Sequence, residues 1–238
     1  MNKFEYFAGE QRSPEWFELR RGCITASRLD DWLSVSKAKT GTGKPLKKRL
    51  DYEKELLFER SFGVSYENYV SPAMQDGIDF EEFARQQYEK ITGLAVSECG
   101  CWYNDVFVAS PDGVITALPN REENPTGLLE IKVLKDNSFS EVLTEGVPEK
   151  HWRQIQGCLY ASGAEWSDYV AVNLNTKMLK IIRVLPDQEF FDYLDLSLQE
   201  QLVVAEFPKE GVYSFIDELP EGAHLPAMAA DFSDSGNW

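Results

Sequence analysis

Asp112, Glu130 and Lys132 are the residues whose types and spacing could do chemistry. Asp112 follows a β-rich run in the segment SPDGVITALP, and Glu130 and Lys132 lie two apart in LLEIKVL. Side chains alternate across a strand, so Glu130 and Lys132 share one face while Leu129, Ile131 and Val133 take the other. A carboxylate and an ammonium aimed from a strand that otherwise reads as core need each other or a metal. Asp112 and Glu130 are oxygen ligands suited to Mg²⁺, a hard cation, and the Ile131 carbonyl between the charged side chains is a further oxygen. Lys132 would position or deprotonate an attacking water and stabilise a pentacovalent phosphate. Two ions about 3.5–4 Å apart would activate that water and neutralise a leaving 3′ oxygen. The same spacing also occurs in an ordinary Glu–Lys pair on a surface hairpin.

The elements that must position these residues read as helices, then strands, then helices. Ser13-Pro14 opens a helix through Arg20, with Pro at its first position. Apolar spacing predicts helices over about 25–33 and 49–61, and Ser71-Pro72 opens another that ends near Gly93. Glu81 and Glu82 fall in the middle of that last helix. Short β-rich runs follow at 95–98, 102–109, 113–117 and 128–134, with a polar turn at 119–125. A helix over 150–162 carries His151, Gln154, Gln156 and Tyr160. Gln156 and Tyr160 share a face at i, i+4, where polar side chains aimed inward could orient a water or phosphate. A hairpin around Asn175-Thr176-Lys177 and a long acidic helix over about 187–206 complete the order. This predicts an α/β core with a small mixed sheet and an N-terminal helical lobe. The division is a single domain over 1–207, helical over residues 1–93 and α/β over residues 94–207, followed by an acidic tail 208–238.

The chain has 238 residues and a net charge of −16, which taken whole argues against a nucleic-acid partner. Its distribution weakens that argument. Residues 186–238 hold twelve acids and one base, accounting for −11. By contrast Lys37, Lys39, Lys44, Lys47, Lys48 and Arg49 occupy the acid-free stretch KAKTGTGKPLKKR, which reads as a flexible, phosphate-contacting loop or a merely solvated one. Its GTGK is not a nucleotide-binding P-loop, because Ala38 and Pro45 stand where that motif needs Gly and Ser or Thr. No apolar run approaches the roughly 20 residues of a bilayer span, and the N-terminal MNKFEYFAGEQ has no signal-peptide core. A cytoplasmic protein without a membrane partner is expected. Cys23, Cys99, Cys101 and Cys158 fit neither a zinc pattern nor a disulfide scaffold and read as buried thiols.

Five segments in order are similar to the phage lambda exonuclease, or YqaJ-type viral recombinase, family of the P-D/(D/E)-x-K nuclease superfamily. They are WFELRRGCITASRL at 16–29, MQDGIDFEEFAR at 74–85, SPDG at 110–113, LLEIK at 128–132 and QIQGCLY at 154–160. The resemblance implies a restriction-endonuclease-like core and a Mg²⁺-dependent, processive 5′→3′ exonuclease acting on double-stranded DNA ends. It implies two ions per site, with Mn²⁺ as a substitute, a ring-shaped homotrimer, and a single-strand annealing recombinase as partner. A phage or prophage origin and a bacterial cytoplasm follow from it. Carried over by position, Asp112, Glu130, Lys132, Glu81 and Gln154 are the catalytic set. The metal would be held by Asp112, Glu130, Glu81 and Ile131, leaving Glu82 solvated. Arg20, Ser27, Ser110 and Lys39 would bind the 5′-phosphate, and Met74 would be an apolar wedge between base pairs or a core residue.

Two other readings compete. An iron–sulfur nuclease needs one cysteine before the core and three after it. Here Cys99 and Cys101 precede Asp112 and only Cys158 follows, which disfavours a cluster. A catalytically inactive acidic DNA mimic or recombination regulator fits the charge, but the intact Asp112, Glu130 and Lys132 set argues against it.

Overall fold

The computed structural model describes residues 3–38, 43–64, 72–116 and 125–201, apart from the side chains of 72–79, 200 and 201. Strand β1 (Glu5–Phe7) leads to α1 (Pro14–Arg20), whose N-terminus is capped by Ser13 Oγ accepting from the Trp16 amide at 3.2 Å. Strand β2 (Ile24–Thr25) passes through a 3₁₀ turn (Ala26–Arg28) into the short α2 (Leu29–Trp32). Helices α3 (Lys47–Phe62) and α4 (Pro72–Thr92) follow. Strands β3 (Cys101–Tyr103), β4 (Phe107–Ala109), β5 (Gly113–Ile115) and β6 (Gly127–Leu134) come next. Helices α5 (Asp136–Glu145) and α6 (Glu149–Ser162) then separate β6 from β7 (Trp166–Asn173), and β8 (Leu179–Val184) and α7 (Gln188–Gln201) close the order.

These strands make two four-stranded sheets, with orders β1-β3-β4-β2 and β5-β6-β7-β8. The mixed α/β class is as expected, but one small sheet was anticipated and there are two. The difference lies in the N-terminal region, expected to be helical, which contributes β1 and β2. Ile24 and Thr25 pair in parallel with Phe107 and Val108 rather than opening a helix. Strands of two or three residues carry no readable alternation, so pairing partners decide them. Helix α5 was also unforeseen: its DNSFSEVLTE has weak helix formers at the start, and burial of Phe139 and Val142 holds it. The expected run 102–109 is a hairpin, turned by Asn104 Oδ1 accepting from the Val106 and Phe107 amides at 2.9 Å each.

In the second sheet β6 and β7 are parallel and central, so both faces of β6 are buried from Gly127 to Ile131. One face packs Leu129, Ile131, Val170 and Val172 against Ala84 and Tyr88 of α4. The other joins Leu128 and Tyr169 to Ile155 and Leu159 of α6, in a cluster that also takes in Leu29, Trp32, Phe107 and Leu194. That cluster runs through both sheets and ties α2 to α7, where Trp32 Nε1 donates to Ser197 Oγ at 2.8 Å. Gly157 lets α6 approach closely: a Cβ there would stand 2.6 Å from Leu29 Cδ1 and 3.1 Å from Phe107 Cζ.

Candidate active site

Strand β5 pairs β6 only over Gly127–Leu129, while β6 continues to Leu134. Where β5 stops, Asp112 takes over the pairing. Its amide donates to the Leu129 carbonyl at 3.0 Å, and its Oδ2 accepts from the Ile131 amide at 2.6 Å. Gly113, the next residue, leaves room for Val96, whose Cγ1 would stand 2.5 Å from a Cβ there. An amide and carbonyl of one strand residue point to the same side, so the Ile131 carbonyl also faces the Asp112 edge.

Glu130 and Lys132 project from β6 toward α6, as alternation requires. Glu130 is 2% exposed. Its Oε1 accepts from Lys132 Nζ and from Gln154 Nε2, the latter at 2.5 Å, while its buried Oε2 has no partner among the described residues. Glu81 comes from α4, close enough to Asp112 and Glu130 for their charges to act on one another. Burial and then Asp112 push the Glu130 carboxyl up to about 8. Burial raises the Asp112 carboxyl despite Lys132 and the Ile131 amide, and burial with Asp112 raises Glu81. Burial disfavours the Lys132 ammonium, but Glu130 and Asp112 outweigh it and the net shift is upward. Three carboxylates thus lie within electrostatic reach of one another, Glu130 paired with Lys132 and Glu81 with Arg12, with a buried oxygen left over. Oxygen donors in excess of their counter-charge suit a divalent cation. No three acids, histidines or cysteines among the described residues form a closed ligand set, and Mg²⁺ characteristically completes its shell with water.

A second polar group lies two residues away at Ser110. Its Oγ accepts from Trp16 Nε1 at 3.0 Å and Arg20 Nη1 at 3.3 Å, with the guanidinium 4.1 Å above the Trp16 ring. Among the described residues Arg20 makes no ion pair, whereas Arg28, Arg49, Arg85, Arg153 and Arg183 all do. Burial lowers its pKa, the signature of a cation stripped of water with no carboxylate in contact. Ser27 is exposed and meets Thr25 Oγ1 at 3.2 Å rather than Arg20. Tyr52 links the two, accepting from the Thr25 amide at 3.1 Å and acting electrostatically on Arg20.

Other expectations fare differently. Gln156 does not face the site: it donates to the Leu185 carbonyl and accepts from the Asp187 amide. Tyr160 donates to Asp195, so this pair fastens the approach to α7 and its middle instead of orienting a phosphate. Lys47, Lys48 and Arg49 are not loop residues but open α3, where each pairs with an acid. Lys37 and Lys44 are exposed and make no ion pair among the described residues. Lys39 and the acidic tail lie outside the described residues, and of Met74 only the backbone, within α4, is described. Two neighbours of the site had no sequence signal. Arg12 Nη2 reaches Glu81 Oε2 at 3.4 Å, and His151 Nδ1 lies 2.9 Å from the Tyr169 hydroxyl beneath Lys132. Trp16 could have been found, being one helical turn before Arg20.

No helix among the described residues is long and apolar enough to cross a membrane. No curated protein matches the chain. Among solved structures, the alkaline exonuclease LHK-Exo from Laribacter hongkongensis is similar at 28% identity and a TM-score of 0.66, over 80% of this chain and 91% of that one. Its complex with dAMP matches with the same figures. A phage-related exonuclease from Haemophilus somnus 129PT shares the fold at 15% identity and a TM-score of 0.58, over 77% and 93% of the two chains. The family profile of the YqaJ-like viral recombinase domain matches residues 15–165, a span that holds Arg20, Glu81, Ser110, Asp112, Glu130, Lys132 and Gln154. The fold and family are those of a nuclease, and the chain belongs to the YqaJ-like viral recombinase family.

Proposed function

We propose that the protein is a Mg²⁺-dependent exonuclease that digests one strand of linear double-stranded DNA from its 5′ end. The product is a 3′ single-stranded overhang for phage-type recombination by single-strand annealing. The observation that carries this reading is the grouping of Asp112, Glu130 and Glu81, with Lys132 on Glu130 and Glu130 Oε2 orphaned, two residues from an Arg20 site that holds no carboxylate.

Asp112, Glu130, Glu81 and the Ile131 carbonyl would hold the metal, two ions being the expected number and Mn²⁺ an adequate substitute. When bound, the metal supplies Lewis-acid polarisation of the phosphate and a more acidic water. Gln154 holds the Glu130 carboxylate in one orientation. Lys132 Nζ donates to Glu130 Oε1, which fixes the lysine beside the carboxylates. There it would position or deprotonate the attacking water and stabilise negative charge growing on the phosphate.

Arg20 and Ser110 would bind the terminal 5′-phosphate, a dianion matched to a guanidinium fork and a hydroxyl, with Ser27 and Lys39 as the further expected contacts. Holding the 5′ end at Ser110 sets the adjacent phosphodiester toward Asp112, which gives the polarity. The dAMP complex of the Laribacter enzyme supports a nucleoside monophosphate product. Met74 is the proposed wedge that parts the end of the duplex. A homotrimeric ring, an annealing recombinase as partner and the cytoplasm of a bacterial host complete the proposal.

The test is digestion of linear duplex labelled at either end, with Mg²⁺ or EDTA, with and without a 5′-phosphate. Wild type should release label from the 5′ end only with Mg²⁺. Loss of the 5′-phosphate should slow it about ten-fold or more, and Arg20→Ala by less than about two-fold. Release from the 3′ end would reject the polarity, and equal slowing would reject the pocket.

A further inference from the structure

Arg12 is an unusual residue in an unusual place. Among the described residues it is one of two non-glycines with left-handed backbone, at φ 70°, the other being Lys177 at φ 59°. Glycine would adopt that conformation without strain, so an arginine there is retained against a local cost. The loop is held in place by its neighbour: Gln11 Nε2 donates to the carbonyls of Cys99, Gly100 and Pro111 at 3.0, 3.3 and 2.8 Å. The anchor at Pro111 adjoins both Ser110 and Asp112. From this fixed base the Arg12 side chain, 51% exposed, reaches Glu81 at 3.4 Å and also acts on Asp112. On α4 itself, Arg85 is committed to Glu82 and Glu98.

Glu81 therefore has an exposed cationic partner at the open side of the carboxylate cluster. An ion pair of this kind is weak and easily exchanged. A guanidinium also binds a phosphate in two-pronged fashion, which a lysine cannot reproduce. We propose that Arg12 is a displaceable counter-cation: its guanidinium and a divalent cation are alternative partners of Glu81, and the guanidinium once released takes a phosphate of the substrate strand. The inference rests on the metal-dependent nuclease reading above and assigns that site a coupling between metal and DNA.

The test is calorimetric titration of the full chain with Mn²⁺ in the absence of DNA, followed by binding of a 5′-phosphorylated blunt duplex in Ca²⁺. Arg12→Gly, which relieves the backbone, should bind Mn²⁺ about two- to five-fold tighter, the range an exposed ion pair supports. It should bind duplex about ten-fold more weakly, with Arg12→Lys intermediate. Lys177→Gly, which also removes one charge and one left-handed side chain, should change neither affinity. Unchanged or weaker Mn²⁺ binding by Arg12→Gly overturns the competition, and unchanged duplex binding overturns the transfer to phosphate. A Lys177→Gly that matches Arg12→Gly overturns both, because bulk charge would then explain the result. Failure of wild type to bind Mn²⁺, or binding by Asp112→Asn equal to wild type, overturns the metal-site reading together with this inference. A normal wild-type titration with unaltered Arg12→Gly overturns this inference alone.

Discussion

Glu130 and Asp168 are each 2% exposed, on the adjacent strands β6 and β7, yet they occupy opposite conditions. Asp168 has every oxygen engaged. It accepts from Tyr88 at 2.7 Å and from two nitrogens of Arg183 at 2.9 Å each, and that guanidinium lies 3.7 Å above Trp166. Glu130 has both its donors on one oxygen and none on the other. One buried acid is closed by hydrogen bonds and joins α4 to the sheet. Its neighbour is left chemically open, at a cost that the surrounding fold must offset. Burial alone therefore does not distinguish the two acids; hydrogen-bond satisfaction does.

The largest expected effects break this comparison on the side of chemistry. Lys132→Ala and Glu130→Gln should each lower the rate of duplex digestion by more than about a thousand-fold while leaving the circular dichroism spectrum native. Retained digestion by either would show that the open acid is not the working one. On the closed side, Asp168→Ala should cost about 2–3 kcal/mol in urea unfolding. That figure is discounted because Arg183 is 50% exposed and half screened by water. A loss no larger than that of a surface acid would contradict the closure.

The smallest effect is the sharpest. Glu130→Gln should stabilise the protein in EDTA by about 1–2 kcal/mol at pH 7. The sign follows from linkage. A carboxyl raised to about 8 in the fold stays protonated there while its unfolded counterpart ionises above about 4.5, so wild type loses stability as pH rises between those values. The glutamine variant lacks that loss, and its advantage should grow from pH 5 to pH 8. An advantage independent of pH would mean that Glu130 is not electrostatically frustrated.

Much of the site was readable before the fold, and for a physical reason. Charge on a strand that alternates with Leu129 and Ile131 has few explanations, and Ser13-Pro14 and Gly93 mark helix ends by local sterics alone. What could not be read depends on residues distant in sequence. The strands β1 and β2 exist because Trp102 and Phe107 lie beside them, and nothing in three residues announces that. Glutamines 154 and 156 are two positions apart on one helix; the family resemblance singles out Gln154, but helix spacing alone does not, and packing against β6 and β8 supplies the physical reason. Arg12 gave no signal, since its position is set by a loop anchored to carbonyls about ninety residues away. The six-base stretch misled because half of it sits on α3 beside acids.

The missing side chain of Gly157 has a consequence beyond packing. Helix α6 rests on Leu29 and Phe107 at the spacing of a bare Cα, and Gln154, one turn earlier, reaches Glu130 from that same helix. The thickness of one methyl group thus serves as a gauge for the distance between Gln154 and Glu130. An alanine at 157, touching neither metal nor DNA, would act as a shim. It would tilt Gln154 away from the Glu130 carboxylate, from a buried position that no map of the surface would mark.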